Sequence, residues 1–385
     1  MNHPGQPTSS SSYLPSLDGL RALAILLVIP HNSDTFGHLP TLLKPVAIVA
    51  HAGWVGVQLF FVLSGFLITR NLLNTRSSSN YFRLFYERRV LRIFPLYFLT
   101  LFVAFVVLPH TATLSKEFLD SAHNQIWLWT FLSNWAQPFG HSVVGFSHFW
   151  SLAVEEQFYL AWPLLVLWSD DRRLIWASMG IALAALIIRL VLLASSARPE
   201  ILYMFTVCRM DALAIGAAAA VLSRSERLDR WLQTHRNTAF AYCLAALAGA
   251  AVISNVYEIY SAATFSIGHP ALALAFALAV LNLASIDIHR ESHWLARVLS
   301  YGWVRSIGRY SFAMYVFHLP IEIAFGSRIE RLLQFSGSVR PILFSLSLIL
   351  LSYLAGWASY HLLEKHFLRL KSKAVPRGAL QTADA

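Results

Sequence analysis

The residues best suited to chemistry are ionisable groups set inside long apolar runs. Arg21 and His31 share the first such run, ten positions apart. On an ideal helix they stand about 15 Å apart along the axis and about 80° apart around it. Ionisable groups within a membrane-length segment are costly and mark function. An imidazole there is the best candidate for a reacting group. The bland alternative has Arg21 snorkelling to the inner interface and His31 capping the outer end. Arg89 and Arg92 are three apart on one helix face, as a guanidinium clamp for phosphate requires, although ordinary inner-face anchoring has the same pattern. Glu155 and Glu156 enter another apolar run behind His148, Phe149 and Trp150. Adjacent helical positions point about 100° apart, so one carboxylate is expected to face the interior. There it would orient an imidazole, stabilise imidazolium, bind sugar hydroxyls or form a structural pair. Arg209 and Asp211 are two apart and cannot pair with each other on a helix, so each is expected to find a partner on another helix. His318 is either a second polar site residue or a satisfied packing histidine.

These residues need a bundle to hold them. Of 385 residues, 56% are hydrophobic and 13% charged, which describes a polytopic α-helical membrane protein rather than a soluble domain. Ten spans are expected, near 17–32, 51–72, 93–109, 149–168, 174–194, 203–222, 238–254, 262–285, 308–326 and 341–363. Residues 124–139 are apolar but short, and are read as interfacial or re-entrant. Gly53, Gly56 and Gly65 permit close helix approach in the second span. With both termini in the cytoplasm, 21 Lys and Arg residues fall on inner loops against 6 on outer ones, the asymmetry the positive-inside rule demands. That distribution accounts for the net charge of +10 without nucleic acid. Cys208 and Cys243 sit in apolar runs, which argues against a disulfide framework or a metal site. Residues 1–16, rich in Ser and Pro, read as a flexible cytoplasmic tail and not as a cleaved signal. Residues 369–385 read as a basic, polar cytoplasmic tail. Loops 33–50 and 110–148 are expected to face outward and choose the acceptor, with Asn134, Trp135, Gln137 and His141 available to a sugar.

Six motifs in order carry a resemblance: LDGLRALAILL from Leu17, FFVLSGFLI from Phe60, ERRVLRIFPLY from Glu87, HFWSLAVEEQFYLAWP from His148, RMDALAIG from Arg209 and GRYSFAMYVFHLP from Gly308. YHLLEKHF from Tyr360 adds a weaker match, and together they cover about 17–368. The chain resembles the integral-membrane acyltransferase family 3. The resemblance implies a ten-span domain over 17–368 in a bacterial-type inner membrane. It implies acyl-CoA as co-substrate, acetyl-CoA first, with no metal or prosthetic group. The acyl group would go to a hydroxyl of a cell-surface or lipid-linked glycan. It places catalytic roles on Arg21, His31 and Glu155, with His31 as general base or acyl relay, and donor binding on Arg89 and Arg92. Ser64, Trp150, Glu156, Arg209, Asp211 and His318 are carried as substrate-binding candidates. No second, esterase-like domain is expected within the sequence. The family spaces its first-helix Arg and His with ten residues between, whereas Arg21 and His31 have nine, and Pro30 precedes His31. A helix rewound at Pro30 keeps His31 facing the site; an unbroken one turns Asn32 there instead. His366 also stands where a Pro is usual. A transporter or flippase for a lipid-linked sugar is the rival reading, and acyl transfer separates the two.

Overall fold

The computed structural model describes residues 13–33, 36, 40–111, 114–255 and 258–370. The expected tails lie outside them except for 13–16 and 369–370, as do parts of loops 33–50 and 110–148. The chain is all-helical, with no strand among the described residues. Its long helices are α1 (Pro15–Asn32), α2 (Val55–Thr75), α3 (Tyr81–Phe102), α4 (Trp150–Trp168), α5 (Asp171–Ala194), α6 (Thr206–Leu222), α7 (Arg236–Ile253), α8 (His269–His289), α9 (Gly302–Leu332) and α10 (Arg340–Ser359).

Among the described residues, seven helices, counted with their adjoining turns, are long and apolar enough to cross a membrane. They contain α2, α3, α5, α6, α7, α8 and α10. The other three, α1, α4 and α9, are the ones into which the sequence writes Asp18, Arg21, Glu155, Glu156, Arg309 and His318. Polar side chains lower their apolarity and also make them the site-bearing elements. Helix α3 starts at Tyr81, twelve positions before the expected span, because the basic stretch with Arg89 and Arg92 continues the same helix. Helix α1 opens with Pro15 in its first turn, where a missing N–H costs nothing, and with Asp18 near the positive end of its dipole. It runs through Pro30 to Asn32 without interruption, so Pro30 does not rewind it.

Helix α2 crosses α6 at backbone distance. A Cβ on Gly65 would overlap the Leu213 carbonyl oxygen, and one on Gly216 would overlap that of Val62. Helix α9 meets α1 the same way at Gly308, against the Asp18 carbonyl. These crossings draw α1, α2 and α9 around one interior space. Gly65→Ala is therefore expected to destabilise the protein by about 1–3 kcal/mol, since backbone must move to admit the methyl. Thermal unfolding in detergent reads this as a lower Tm, and an unchanged Tm contradicts the crossing.

Residues 124–139 form short helical turns docked on the bundle. Gln157 of α4 donates to the Phe131 carbonyl (2.8 Å) and the Asn134 Oδ1 (2.9 Å), and accepts from the Trp135 indole (3.0 Å). Asn134 also donates to Thr206 Oγ1 (2.9 Å) at the start of α6. Gln157 thus serves as a link between elements, and Asn134 and Trp135 spend their polar atoms on it.

Candidate functional site

Helices α1, α2, α3, α4 and α9 enclose a cavity of about 100 Å³. Arg21, Arg89 and Arg92 line it together with Ser64, Glu155 and Glu156. Arg92 is exposed, whereas Arg21, Arg89 and both glutamates are half-buried, so the basic groups include one at an open mouth. Arg21 pairs with Asp18 one turn away (3.1 Å). The Arg89 guanidinium lies over the Tyr159 ring, 3.8 Å from its centre, a stacked arrangement that fixes the plane of the fork. Tyr159 donates its hydroxyl hydrogen to Glu155 Oε2 (2.5 Å), so this carboxylate is held in place. Both Glu155 and Glu156 line the cavity. The expectation that only one of the pair turns inward is corrected here: the cavity wraps around α4 widely enough to reach adjacent positions.

One wall consists of Ser311, Phe312 and Tyr315 of α9, and another includes Ser151 and Leu152 of α4. Each stripe continues by one turn, since residues three or four apart share a helix face. On α9 the next position is His318, and before α4 it is His148, in the turn Ser147–Phe149. The two imidazoles are buried side by side with ring centres 4.5 Å apart. The Tyr315 ring lies 5.1 Å from that of His148 and 5.5 Å from that of His318. Its hydroxyl donates to the His148 carbonyl (2.7 Å) and is 2.6 Å from Ser151 Oγ. Tyr315 is therefore shared by the cavity and the histidine pair.

The first helix reaches this pair through Asn32. Its amide nitrogen is 2.8 Å from His318 Nε2, and His318 Nδ1 is 2.7 Å from the Tyr315 carbonyl oxygen. A carbonyl only accepts, so Nδ1 carries the proton and Nε2 offers a lone pair to the Asn32 amide. His31 turns elsewhere: its Cβ faces Gly53, 2.9 Å from where a Cβ on that glycine would stand. Neither His31 nor His318 is among the residues lining the cavity itself. The cause is the unbroken helix, in which Asn32 lies about 20° around the axis from Arg21 and His31 about 80° away.

Trp150, Arg209 and Asp211 also stand off the cavity. Arg209 is fully buried, donates to Gln58 Oε1 (2.9 Å), sits 2.9 Å from His269 Nε2, and is surrounded by the rings of Phe61, Trp150 and Tyr203. Asp211 pairs with Arg189 of α5 at 2.8 Å, both buried. Each finds its partner on another helix, as the spacing of two requires. The cavity thus gathers Arg21, Ser64, Arg89, Arg92, Glu155 and Glu156, with His318 one turn beyond. Sequence reading left His148 and Asn32 out of the candidate set. The spacing of His148, Ser151 and Glu155 on one face was the available signal for the first.

The model of the acyltransferase domain family matches residues 14–361. The chain is similar to a peptidoglycan O-acetyltransferase, OatA, of Listeria monocytogenes, 30% identical over 332 residues that cover 81% of this chain and 50% of the relative. It is 29% identical over 385 residues to a putative peptidoglycan O-acetyltransferase, YrhL, of Bacillus subtilis, covering 93% and 55%. It is 27% identical over 374 residues to an O-acetyltransferase, OatA, of Staphylococcus aureus, covering 92% and 57%. The chain spans about half the length of these curated relatives. No solved structure matches it.

Proposed function

The chain belongs to the acyltransferase domain family, and we propose that it is a membrane O-acyltransferase that carries an acetyl group from acetyl-CoA to a hydroxyl of a cell-wall glycan. The observation that carries this reading is a cavity lined together by three guanidiniums, two carboxylates and three serines. Such a basic recess suits a donor with phosphates at one end and a thioester on a long arm. Arg89 and Arg92 hold the phosphates at the open mouth, and Arg21 supports them from α1. Glu155, fixed by Tyr159, sets the position of the cationic groups around the arm. An imidazole one turn beyond the cavity takes the proton of the acceptor hydroxyl.

In this reading α1, α4 and α9 also cross the membrane, giving ten spans of a bacterial inner membrane with both termini and the donor mouth on the cytoplasmic side. The clustering of Lys and Arg on the inner loops supports that orientation. The glycan acceptor rests on the printed names of the relatives, which specify peptidoglycan in two cases.

The test is mass spectrometry of muropeptides from bacteria that express the chain and from matched cells that lack it. Base-labile acetyl esters are expected to appear with the protein and to be lost in an Arg89→Gln/Arg92→Gln variant that still reaches the membrane. Muropeptides of identical mass in all three strains sink the proposal, and an unmodified lipid-linked sugar moved across the membrane would favour the transporter reading instead.

A further inference from the structure

We propose that His318 is the imidazole that accepts the proton in acyl transfer, and that Asn32 is its positioning residue on the first helix. This deepens the reading of the cavity as an acyltransferase site and rests on it.

Three independent observations point to His318 rather than His31. The first is register. Ser311 and Tyr315 line the cavity, and His318 is the next position on that face of α9. The His31 Cβ stands against Gly53, in the turn before α2. The second is tautomer. Nδ1–H is committed to the Tyr315 carbonyl at 2.7 Å, which leaves the Nε2 lone pair pointing to the polar end group of α1. A base needs that neutral form, with the opposite nitrogen already anchored. The third is depth. Asn32 lies eleven residues beyond Arg21 on one straight helix, about 16 Å along the axis. The contact between Asn32 and His318 therefore marks a level well above the arginines, on the same side of α1.

Asn32 has the chemistry of a placeholder. Its amide donates to Nε2 at 2.8 Å, in the direction that an acceptor hydroxyl would use. When a glycan hydroxyl arrives, the Asn32 amide passes from Nε2 to the hydroxyl oxygen and so goes on positioning the pair, the O–H bond breaks and the proton moves to Nε2. The alkoxide oxygen bonds to the thioester carbonyl carbon, and the C–S bond breaks as the tetrahedral intermediate collapses. The proton then passes from Nε2 to the departing CoA thiolate, so His318 ends as it began. The imidazolium formed in between keeps its Nδ1–H on the Tyr315 carbonyl. His148, with its ring centre 4.5 Å away, must stay neutral while that charge exists, since two adjacent imidazolium ions repel. Its burial among Phe149, Tyr315 and His318 favours the neutral form.

The experiment uses the full chain in detergent micelles with radiolabelled acetyl-CoA and soluble disaccharide muropeptide as acceptor. His318→Gln is expected to lower kcat by roughly 10²–10⁴-fold with KM for acetyl-CoA within about twofold. His318→Ala should lose activity likewise and regain part of it on addition of free imidazole, a rescue that a purely structural defect does not show. His31→Gln should keep kcat within about threefold, because its Cβ is directed at Gly53, about 80° around the helix from Arg21. Asn32→Ala should lower kcat by about tenfold without changing donor KM, as its imidazole loses orientation rather than its base. If His318→Gln turns over like wild type, or if His31→Gln alone abolishes transfer, the assignment is overturned. Wild-type protein that transfers no acetyl group to the acceptor overturns the acyltransferase reading beneath it, a failure separable from the first two by the wild-type arm alone.

Discussion

Replacing Arg89 and Arg92 together by glutamine is expected to raise KM for acetyl-CoA by roughly 10²–10⁴-fold at nearly unchanged kcat. Each guanidinium that grips a phosphate contributes about 1.5–3 kcal/mol through charge-assisted hydrogen bonds. Two such losses amount to about 3–6 kcal/mol, and every 1.4 kcal/mol is a factor of ten. The effect falls on KM because the phosphates are remote from the reacting carbonyl and are held equally in ground and transition states. Arg92 is exposed at the mouth and Arg89 half-buried against Tyr159, so Arg92 bears the larger dependence on salt. Lysine at either position keeps the charge but loses the planar fork, and at position 89 also the stack on Tyr159. The decisive comparison is with acetyl-pantetheine, which has the thioester and arm but no phosphate. On that donor the double variant should match wild type. An equal penalty on both donors rejects the phosphate clamp.

Much of this arrangement was legible in the sequence because membrane helices write their burial in runs of apolar residues. All-helical architecture, the long elements and the triad of Arg21, Arg89 and Arg92 were all readable from types and spacing. The register at the end of α1 was left open because one proline made two outcomes plausible. A proline in a helix removes a single N–H and crowds one carbonyl; whether the helix yields depends on what packs around it. Here Pro30 sits in a helix whose neighbours α2 and α9 lie at backbone distance through Gly53, Gly56 and Gly308, and the helix keeps its phase. Asn32 consequently occupies the direction assigned to a histidine. Residue type and the family resemblance both pointed to His31, because an imidazole is reactive and an amide is not. Partnering between His318 and Asn32, 286 positions apart in sequence, has no local signature. The same holds for Gln157. Its four polar contacts hold 126–139 and α6 to α4. Trp150 and Arg209 are substrate-binding candidates through the family resemblance alone. In the bundle they stand off the cavity and face each other.

That last point yields the largest expected effect on stability. Asp211→Leu is expected to destabilise the folded protein by about 3–5 kcal/mol, because it leaves the buried Arg189 guanidinium without its carboxylate. Neither residue has access to water that would solvate the orphaned charge. The companion double variant, Arg189→Met/Asp211→Leu, should recover most of that loss, since a buried pair replaced by apolar side chains of similar size is often neutral or better. Recovery should stop short of completion. Arg189 also donates to the Phe265 carbonyl (2.9 Å) and to that of Cys208, and a carbonyl stripped of its donor costs about 1–3 kcal/mol. Thermal unfolding of purified single and double variants reads the sizes, and acetyl-CoA kinetics on the folded fraction reads the role. A structural pair predicts a deep fall in Tm for the single variant, a rebound for the double, and a KM within about twofold of wild type in both. A substrate-binding role differs in KM alone: the double variant regains its Tm while KM stays raised, because no apolar pair can stand in for an ionic contact to substrate.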